Sequence, residues 1–485
     1  MAEGRYDLIV IGGGVGGLAT AALAARHGLR PMVLEQGAGP GGACATLTRN
    51  AYRFDAGAGL LWGFEAGEGA RRVVEAVGAA VEALPLEPAI QVALPRHRFA
   101  FYRAEERFWR EVRREFPAAE TALRSFYAEV RALDAALRAL DLGPGDLPSR
   151  PAWRRWRRRD RPEDELQKRA LEPLESLATW QALPPELQEA LALVLRYLGP
   201  VDPSAPVLLA ATILGRTRRG FTGLRGGTGA LATALVQVVE RHGGVVQLGM
   251  RATEVLLRGR RAAGARTANG FVLEAPAVVA AVAPMLLAGH LLQDGARLFP
   301  GGIPTPHAAA FTLYLGLDEA IVPAEMGPHL LLRLPRALEP GGIDALSLST
   351  SPPWDGSRAP RGRRALTVNA FLPPRDIEMG GVDWLQMGER ILNALDDFLP
   401  GLRGRMDYCE VRSPVNWQEQ TGRPYGAAGY LRGSLPMVLG WQGFPHRTPV
   451  PALFVAGDWT FPGGGVAAAV EGAQRTLDLI LAARR

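Results

Sequence analysis

A run of apolar residues followed by closely spaced glycines, within residues 6–36, constrains this chain more than any other feature. Residues 6–11 are too continuously apolar for a half-exposed strand, and they predict a buried parallel strand. Gly12, Gly14 and Gly17 follow with the spacing G-x-G-x-x-G. In that pattern the first glycine permits a tight turn, the second admits a pyrophosphate and the third packs a helix on the strand. The segment therefore predicts a βαβ unit that binds phosphates at a helix N-terminus.

The second strand of this unit ends in an acidic residue. Residues 31–34 are apolar, and Glu35 follows them directly. A carboxylate at this place accepts both ribose hydroxyls and repels a 2′-phosphate. The predicted ligand is an unphosphorylated adenosine dinucleotide. A merely structural glycine turn is the alternative, and it explains the strand, the helix and Glu35 less well.

Composition excludes several classes of function. The chain has 485 residues, more than one hydrophobic core usually supports, and a modest net charge of +6. No nucleic-acid signature accompanies that charge, so we expect no nucleic-acid partner. Cys44 and Cys409 lack C-x-x-C or ligand spacing, and the histidines show no metal spacing, so we expect no dithiol centre and no metal. Cysteine usage and an N-terminus that leads directly into the first strand lead us to expect a cytoplasmic protein without a signal peptide. The longest apolar run, residues 275–292, is interrupted by Pro284 and His290, so we expect no spanning helix.

Residues 37–64 add motifs that resemble a known family. Gly41 and Gly42 form a loop whose backbone can lie close to a flat or charged group, although a surface turn is an alternative. Phe54 and Asp55 then begin a Phe-Asp-x-Gly motif. The order of glycine fingerprint, glycine pair and this motif resembles the FAD-dependent phytoene desaturases of the flavin amine oxidase superfamily. Residues 54–64 are most similar to the carotenoid isomerase and retinol saturase branch. This resemblance implies that FAD is the cofactor.

A second strong motif lies near the C-terminus. An apolar strand at 453–456 is followed by Gly457 and Asp458, then by three glycines and a helix from about Val466. Free backbone N–H groups at that helix N-terminus would face the part of a flavin that becomes negative on reduction. Residues 461–466 resemble the carotenoid isomerase form of the FAD motif, which implies that Asp458 holds a ribityl hydroxyl. We expect Trp459 and Phe461 to line the flavin face.

A third glycine cluster, residues 226–229, opens a predicted helix at 230–242. We reject a separate nicotinamide site there, because we predict no buried strand directly before the glycines and find no acid after the next strand. The block up to residue 282 instead resembles the return of the chain to the FAD lobe. In this resemblance Ala252 occupies the position whose backbone meets adenine.

The remaining segments predict a second lobe. Helices are expected at about 107–140 and 183–198, and residues 352–353 with residues 358–364 are expected to form an exposed loop. Residues 307–317, 346–349 and 365–372 predict strands, followed by a helix at 384–398. The fold class is thus α/β: a discontinuous Rossmann-type FAD-binding lobe (1–86, 220–290 and 440–485) with an inserted α+β substrate lobe (87–219 and 291–439).

The predicted cofactor-binding residues come from all three segments of the FAD lobe. They are Gly12, Gly14, Val15, Gly16, Gly17, Glu35, Gln36, Gly41, Gly42, Ala43, Gly59, Leu60, Ala252, Gly457, Asp458, Gly465 and Val466. No catalytic acid or base is assigned, because no triad or carboxylate pair is recognisable.

The resemblance implies an FAD-dependent oxidoreductase that acts on a long hydrophobic isoprenoid or polyene, by desaturation, isomerisation or saturation. One alternative is an amine or porphyrinogen oxidase of the same superfamily. Two features count against this alternative. Ala43 stands where those enzymes commonly have arginine, and Lys168, the only lysine, falls in a predicted charged helical insert. Another alternative is a non-catalytic prenyl-binding carrier. Residues 150–161, rich in arginine and containing Trp153 and Trp156, predict either a solvated face or peripheral membrane contact.

Overall fold

The computed structural model describes residues 5–57, 59–139, 172–199, 201–293, 295–299, 308–378, 380–427, 437–438 and 441–484. The arginine-rich segment 150–161 and Lys168 lie outside the described residues. The strands are β1 Leu8–Ile11, β2 Pro31–Leu34, β3 Thr46–Arg49, β4 Tyr52–Asp55, β5 Ala83–Leu86, β6 Ile90–Ala93, β7 Arg98–Phe101, β8 Phe221–Leu224, β9 Val245–Gln247, β10 Ala252–Arg258, β11 Arg261–Thr267, β12 Val272–Glu274, β13 Val278–Ala280, β14 Ala309–Asp318, β15 His329–Leu338, β16 Ile343–Thr350, β17 Arg363–Leu372, β18 Met406–Arg412, β19 Met437–Val438, β20 Trp441–Gln442 and β21 Leu453–Val455.

The helices follow the apolar periodicities of the sequence. Their ranges are Val15–Arg26, Gly69–Val77, Glu105–Glu115, Glu120–Ala139, Ala178–Gln181, Pro185–Leu198, Val207–Arg219, Gly229–Arg241, Pro284–Leu286, Pro374–Glu378, Trp384–Phe398, Pro414–Thr421 and Gly465–Arg484. Among the described residues, no helix has the length and apolarity that crossing a bilayer requires.

A five-stranded parallel sheet carries the glycine fingerprint. Its strand order is β21-β13-β1-β2-β9, so segments distant in sequence become neighbours around β1. All residues of β1 and β2 are buried, as expected for a parallel sheet covered on both faces. The helix Val15–Arg26 packs against the helices Gly229–Arg241 and Gly465–Arg484. The predicted α/β fold with a Rossmann-type sheet is confirmed.

The other large sheet has seven strands in the order β18-β14-β17-β16-β15-β6-β7, antiparallel except where β15 pairs with β6. Its leucine-rich face packs against the helix Trp384–Phe398, whose range agrees with the prediction. Strand β15 was not predicted. The strands of the two large sheets come from the sequence segments assigned to the two lobes, but the domain boundaries themselves stay predictions.

Two local expectations were wrong. A buried strand, β8, does precede the glycines at 226–229, but it pairs with β5 in a separate antiparallel ribbon. It therefore does not form part of a second βαβ unit. Residues 352–353 and 358–364 do not form a uniformly exposed loop, because Pro352 and Arg358 are buried and β17 begins at Arg363. The Arg358 side chain is buried because it pairs with Asp55, a long-range contact that local composition does not reveal.

Candidate functional site

The fingerprint loop is open at Gly14 and tightly packed at Gly12 and Gly17. A Cβ added to Gly12 would lie 2.6 Å from the carbonyl oxygen of Ala281, and Gly12 has a φ of +105°. A Cβ at Gly17 would collide with the Gly12 carbonyl, so the helix packs close to β1 as predicted. A Cβ at Gly14 would meet nothing within 4 Å. The backbone at Gly14, where the helix begins, is therefore open to the adjoining cavity.

Glu35 is held by main-chain donors on both of its carboxylate oxygens. Oε2 accepts from the N–H of Gly13 at 2.6 Å, and Oε1 accepts from the N–H of Gly37 at 2.6 Å. Each oxygen has a further lone pair, so the carboxylate can also accept hydroxyl groups. Its orientation is fixed before any ligand arrives, which is the arrangement that ribose binding requires.

The glycine pair lies directly beside the fingerprint loop. Gly41 donates its N–H to the carbonyl of Gly13 at 2.8 Å, and Gly14 and Gly41 form a parallel bridge. Gly41 and Gly42 have φ values of +111° and +58°, which explains why glycine occupies both positions. The buried Cys44 follows this loop. Burial raises the pKa of its thiol to about 12, so the thiol is neutral and unreactive.

The C-terminal motif reaches the same place from the other end of the chain. Strand β21 leads to Gly457, and the helix Gly465–Arg484 begins at the last of three consecutive glycines with positive φ, at 463–465. A Cβ at Gly16 would lie 2.7 Å from Cα of Gly457, so the first and last motifs are in contact. Their helix N-termini offer main-chain N–H groups to one cavity.

Asp458 has a partner that the sequence did not suggest. One terminal nitrogen of Arg423 donates to both carboxylate oxygens of Asp458 at 2.9 Å, and both side chains are largely buried. The Arg423 guanidinium also lies 5.2 Å from the ring centre of Trp459. The carboxylate of Asp458 is therefore charge-balanced while it faces the cavity.

One cavity of about 1070 Å³ joins these motifs. Every residue predicted to bind the cofactor lines it: Gly12, Gly14, Val15, Gly16, Gly17, Glu35, Gln36, Gly41, Gly42, Ala43, Gly59, Leu60, Ala252, Gly457, Asp458, Gly465 and Val466. Their individual contacts with the cofactor stay predictions. The volume slightly exceeds the ~300–1000 Å³ usual for one ligand, as a site for both a cofactor and a substrate requires.

One predicted aromatic residue does not line the cavity. Trp459 does so, but the expectation for Phe461 was wrong. The Phe461 side chain is buried, with its ring against the Arg475 guanidinium on the C-terminal helix. Its main chain pairs with Phe444. That pairing and the contact with Arg475 keep the ring out of the cavity lining.

Asp55 of the Phe-Asp-x-Gly motif connects three parts of the structure. Its Oδ1 accepts from the N–H and the hydroxyl of Thr228, at 2.7 and 3.0 Å. Its Oδ2 accepts from Arg358 at 3.0 Å. The side chains of Asp55 and Arg358 are both less than a tenth exposed. The motif therefore ties the N-terminal loops to the helix Gly229–Arg241 and to the segment before β17.

The wall of the cavity opposite the glycine loops comes from the seven-stranded sheet and the helix Pro185–Leu198. Sequence analysis missed its polar residues, Tyr197, Ser347 and Asn369. A signal was present in two strands, because Ser347 and Ser349, and likewise Thr367 and Asn369, alternate with apolar residues. No group of three or more metal-ligating side chains occurs among the described residues.

The chain belongs to the family of flavin-containing amine oxidoreductases, whose model matches residues 15–481. It is 26% identical to the chloroplastic prolycopene isomerase of Arabidopsis thaliana, over 96% of this chain and 81% of that protein. It is also 26% identical to the neurosporene-forming phytoene desaturase of Cereibacter sphaeroides, over 96% and 93%. A solved oxidoreductase from Methanosarcina mazei shares the fold, with a TM-score of 0.66 at 18% identity over 97% of this chain and 100% of that one.

These matches confirm the family resemblance and show that the protein is an FAD-dependent oxidoreductase. FAD fits the residues present. The open backbone at Gly14, the pre-oriented Glu35 carboxylate and the glycine-rich helix start at Gly465 supply the donors and acceptors that a flavin dinucleotide needs.

Proposed function

We propose that this enzyme acts on a long hydrophobic isoprenoid or polyene, by desaturation, isomerisation or saturation. The observation that carries the proposal is the continuity of one cavity from the glycine loops to an apolar region. Apolar side chains dominate that region: Leu60, Leu193, Leu198, Val201, Leu286, Leu291, Leu331, Ile343, Leu346, Phe371 and Leu372. The two relatives named above, a prolycopene isomerase and a phytoene desaturase, support the same class of substrate.

The loop around Gly59 separates the two regions of the cavity. A Cβ on Gly59 would lie 2.8 Å from Oγ of Ser349 and 3.0 Å from the His329 ring. The adjacent Leu60 belongs to the core of the helical region, whereas Leu61 belongs to the core beside the parallel sheet. These contacts support a cofactor site whose end borders the substrate region.

The protein's own contribution is binding, orientation and exclusion of water. FAD, when bound, supplies hydride transfer and the associated electron chemistry. The glycine loops and Glu35 would hold the nucleotide part of FAD, while the apolar wall would align an extended chain and keep water out. The positive end of the helix Gly465–Arg484 favours negative charge that develops beside it.

Amine oxidation is the second candidate, because the family description names amine oxidoreductases. Against it, Ala43 stands directly after the glycine pair, where the amine oxidases commonly have arginine. The predicted position of Lys168 is no argument for or against amine oxidation, because Lys168 lies outside the described residues. We do not retain the carrier alternative, because the matching family consists of flavin oxidoreductases.

The two candidates differ in which class of compound the holoprotein converts. Purified holoprotein would be mixed anaerobically with phytoene, lycopene isomers or a series of primary amines, with oxidised and with pre-reduced flavin. We expect polyene conversion, detected by product analysis, and no flavin bleaching by amines. Bleaching by amines without any polyene conversion would overturn the proposal in favour of amine oxidation.

We also propose that the protein contacts a membrane peripherally, because a polyene partitions into bilayers at about 0.8 kcal/mol per buried CH₂. The predicted contact is the segment 150–161, which lies outside the described residues. Changing Arg154, Arg155, Arg157 and Arg158 to glutamine should lower binding to anionic liposomes and weaken its salt dependence at constant flavin content. Unchanged liposome binding would show that this segment is only a solvated face.

A further inference from the structure

The seven-stranded sheet has two chemically different faces. The face against the helix Trp384–Phe398 is apolar, with Leu313, Leu348 and Val368 in its core. On the other face, Thr312, Asn369 and Ser347 stand opposite one another on β14, β17 and β16. We call these three residues the polar row. Two of them, Asn369 and Ser347, line the large cavity.

Hydrogen bonds fix the first half of the polar row. The indole N–H of Trp417 donates to the Thr312 hydroxyl at 3.1 Å, and that hydroxyl donates to Oδ1 of Asn369 at 2.8 Å. Because Oδ1 of Asn369 is the acceptor, its amide NH₂ group is the donor left for the cavity. The residue is only 6% exposed, so this donor faces an enclosed space.

A helix adds another polar side chain beside the polar row. Tyr197, on the helix Pro185–Leu198, lines the cavity, and its hydroxyl lies near Ser347 and Ser349. Ser349 is fixed in turn by Nδ1 of the buried His329 at 2.6 Å. Side chains directly opposite on neighbouring strands have Cβ atoms about 4.5–5.5 Å apart. One ligand oxygen can therefore reach both Ser347 and Asn369, with Tyr197 beside it.

Such a wall favours a ligand that carries an oxygen over one made only of hydrocarbon. A hydrocarbon that fills the cavity displaces water from these buried groups and offers them no partner, which is unfavourable. A ligand with a hydroxyl or carbonyl oxygen satisfies the same groups. Sites built in this way discriminate strongly against analogues that lack the oxygen.

We propose that Tyr197, Ser347 and Asn369 form a subsite that hydrogen-bonds an oxygen of the substrate, so that an oxygenated polyene, an alcohol or a carbonyl compound, is preferred to a hydrocarbon polyene. This inference rests on the proposed function and narrows its substrate class. The subsite lies beside the Gly59 loop, because a Cβ on Gly59 would contact Ser349 and the His329 ring, and Ser349 shares strand β16 with Ser347. The oxygen would therefore be held next to the predicted end of the cofactor site.

The test compares two ligands that differ in one oxygen. All-trans-retinol and the matched hydrocarbon, in which a methyl group replaces the hydroxymethyl group, would be titrated into holoprotein in the same detergent, with Kd read from quenching of tryptophan fluorescence. We expect Ser347→Ala and Tyr197→Phe each to weaken retinol binding about threefold to tenfold. Binding of the hydrocarbon should stay unchanged or become tighter.

Two variants provide matched controls. Ser351→Ala removes a buried serine hydroxyl that accepts from the N–H of Ala365, and Tyr127→Phe removes a buried phenol hydroxyl that bonds Thr217. Neither Ser351 nor Tyr127 lines the cavity, so both controls should leave the two Kd values unchanged.

The possible results separate this inference from the proposed function. The oxygen subsite is supported if Ser347→Ala and Tyr197→Phe weaken the binding of retinol but not of the hydrocarbon, and if the two control variants weaken neither. Equal effects on the two ligands, or no effect on either, overturn it while polyene binding stands. If neither polyene binds the wild-type holoprotein, the proposed function itself fails and the subsite fails with it.

Discussion

The five-stranded parallel sheet and the seven-stranded sheet border the same cavity, but they present different chemistry to it. Beside the parallel sheet the contacts are mainly backbone groups at Gly14, Gly457 and Gly465, oriented by tight turns. The seven-stranded sheet contributes side chains, among them Ser347 and Asn369. The cofactor region therefore depends on where glycine permits close approach, whereas the substrate region depends on which side chains alternate along each strand.

The largest expected effect tests the backbone side of this comparison. In Gly17→Val, the new side chain would collide with the Gly12 carbonyl and approach Cβ of Ala281 within 2.9 Å. The helix would have to move away from β1, at a cost of at least about 3 kcal/mol. Urea unfolding and flavin content should both show the loss. Gly404→Ala, at an exposed position where a Cβ meets nothing within 4 Å, is the control and should behave as wild type. A stable, flavin-loaded Gly17→Val protein would refute the close packing.

The next effect concerns the link between the two regions. Arg358→Met would leave Asp55 buried without its ion-pair partner, and breaking a buried pair in this way costs about 3–5 kcal/mol. We expect a corresponding fall in the free energy of unfolding, measured by urea titration. Arg361→Met removes an exposed arginine from the same segment and should change stability by less than about 0.5 kcal/mol. Similar stabilities for the two variants would show that the Asp55–Arg358 contact is dispensable.

Each region also contains a buried histidine. Burial lowers the pKa of His329, on the seven-stranded sheet, to about 4, and it does the same for His446 beside the parallel sheet. His446 bonds the Phe461 carbonyl and the Thr476 hydroxyl, so its neutral form is fully satisfied. An unfolded histidine takes up a proton near pH 6.5, whereas these two do so only near pH 4.

The sign of the pH dependence follows from that difference. The contribution of each histidine to stability is complete above pH 6.5 and disappears as the pH falls to about 4, with a loss of roughly 2–4 kcal/mol per histidine. Urea unfolding between pH 7.5 and 4 measures the loss. His329→Gln and His446→Gln should each remove one histidine's share of the slope. A slope that neither substitution changes would mean that carboxylates account for the acid sensitivity.

The comparison also explains what the sequence could and could not predict. Gly12, Glu35 and Asp458 lie in motifs whose spacing encodes local geometry, and all three line the cavity. Arg423 pairs with Asp458 across 35 residues, and Arg358 meets Asp55 across 303 residues, so no local pattern announces either contact. Phe461 was misplaced because the spacing of a motif does not fix which way a side chain points.

Cofactor retention gives a smaller, more local effect. Glu35→Ala removes the predicted ribose contacts, and charge-assisted hydrogen bonds contribute about 1.5–3 kcal/mol each. It also leaves the N–H groups of Gly13 and Gly37 without their acceptor. We expect FAD affinity to fall at least about tenfold, measured by flavin release on dilution. Glu254→Ala, which removes an exposed glutamate paired with Arg266, should retain full flavin content. Wild-type affinity in Glu35→Ala would refute the role of Glu35.

Asp458→Ala should have the smallest effect, because one ribityl contact is a minor part of the anchorage of a long cofactor. Its carboxylate also balances the charge of Arg423, which would then stand unpaired beside Trp459. We expect FAD affinity to fall about fivefold, in line with one hydrogen bond of about 1 kcal/mol. The flavin reduction potential should rise, because an unpaired cation next to the cofactor favours the negative, reduced form. Asp458→Asn retains an acceptor but not the charge, so it should recover affinity while the potential stays high. If affinity and potential both stay at their wild-type values in Asp458→Ala, the C-terminal motif acts on the cofactor through its backbone alone, as the fingerprint loop does.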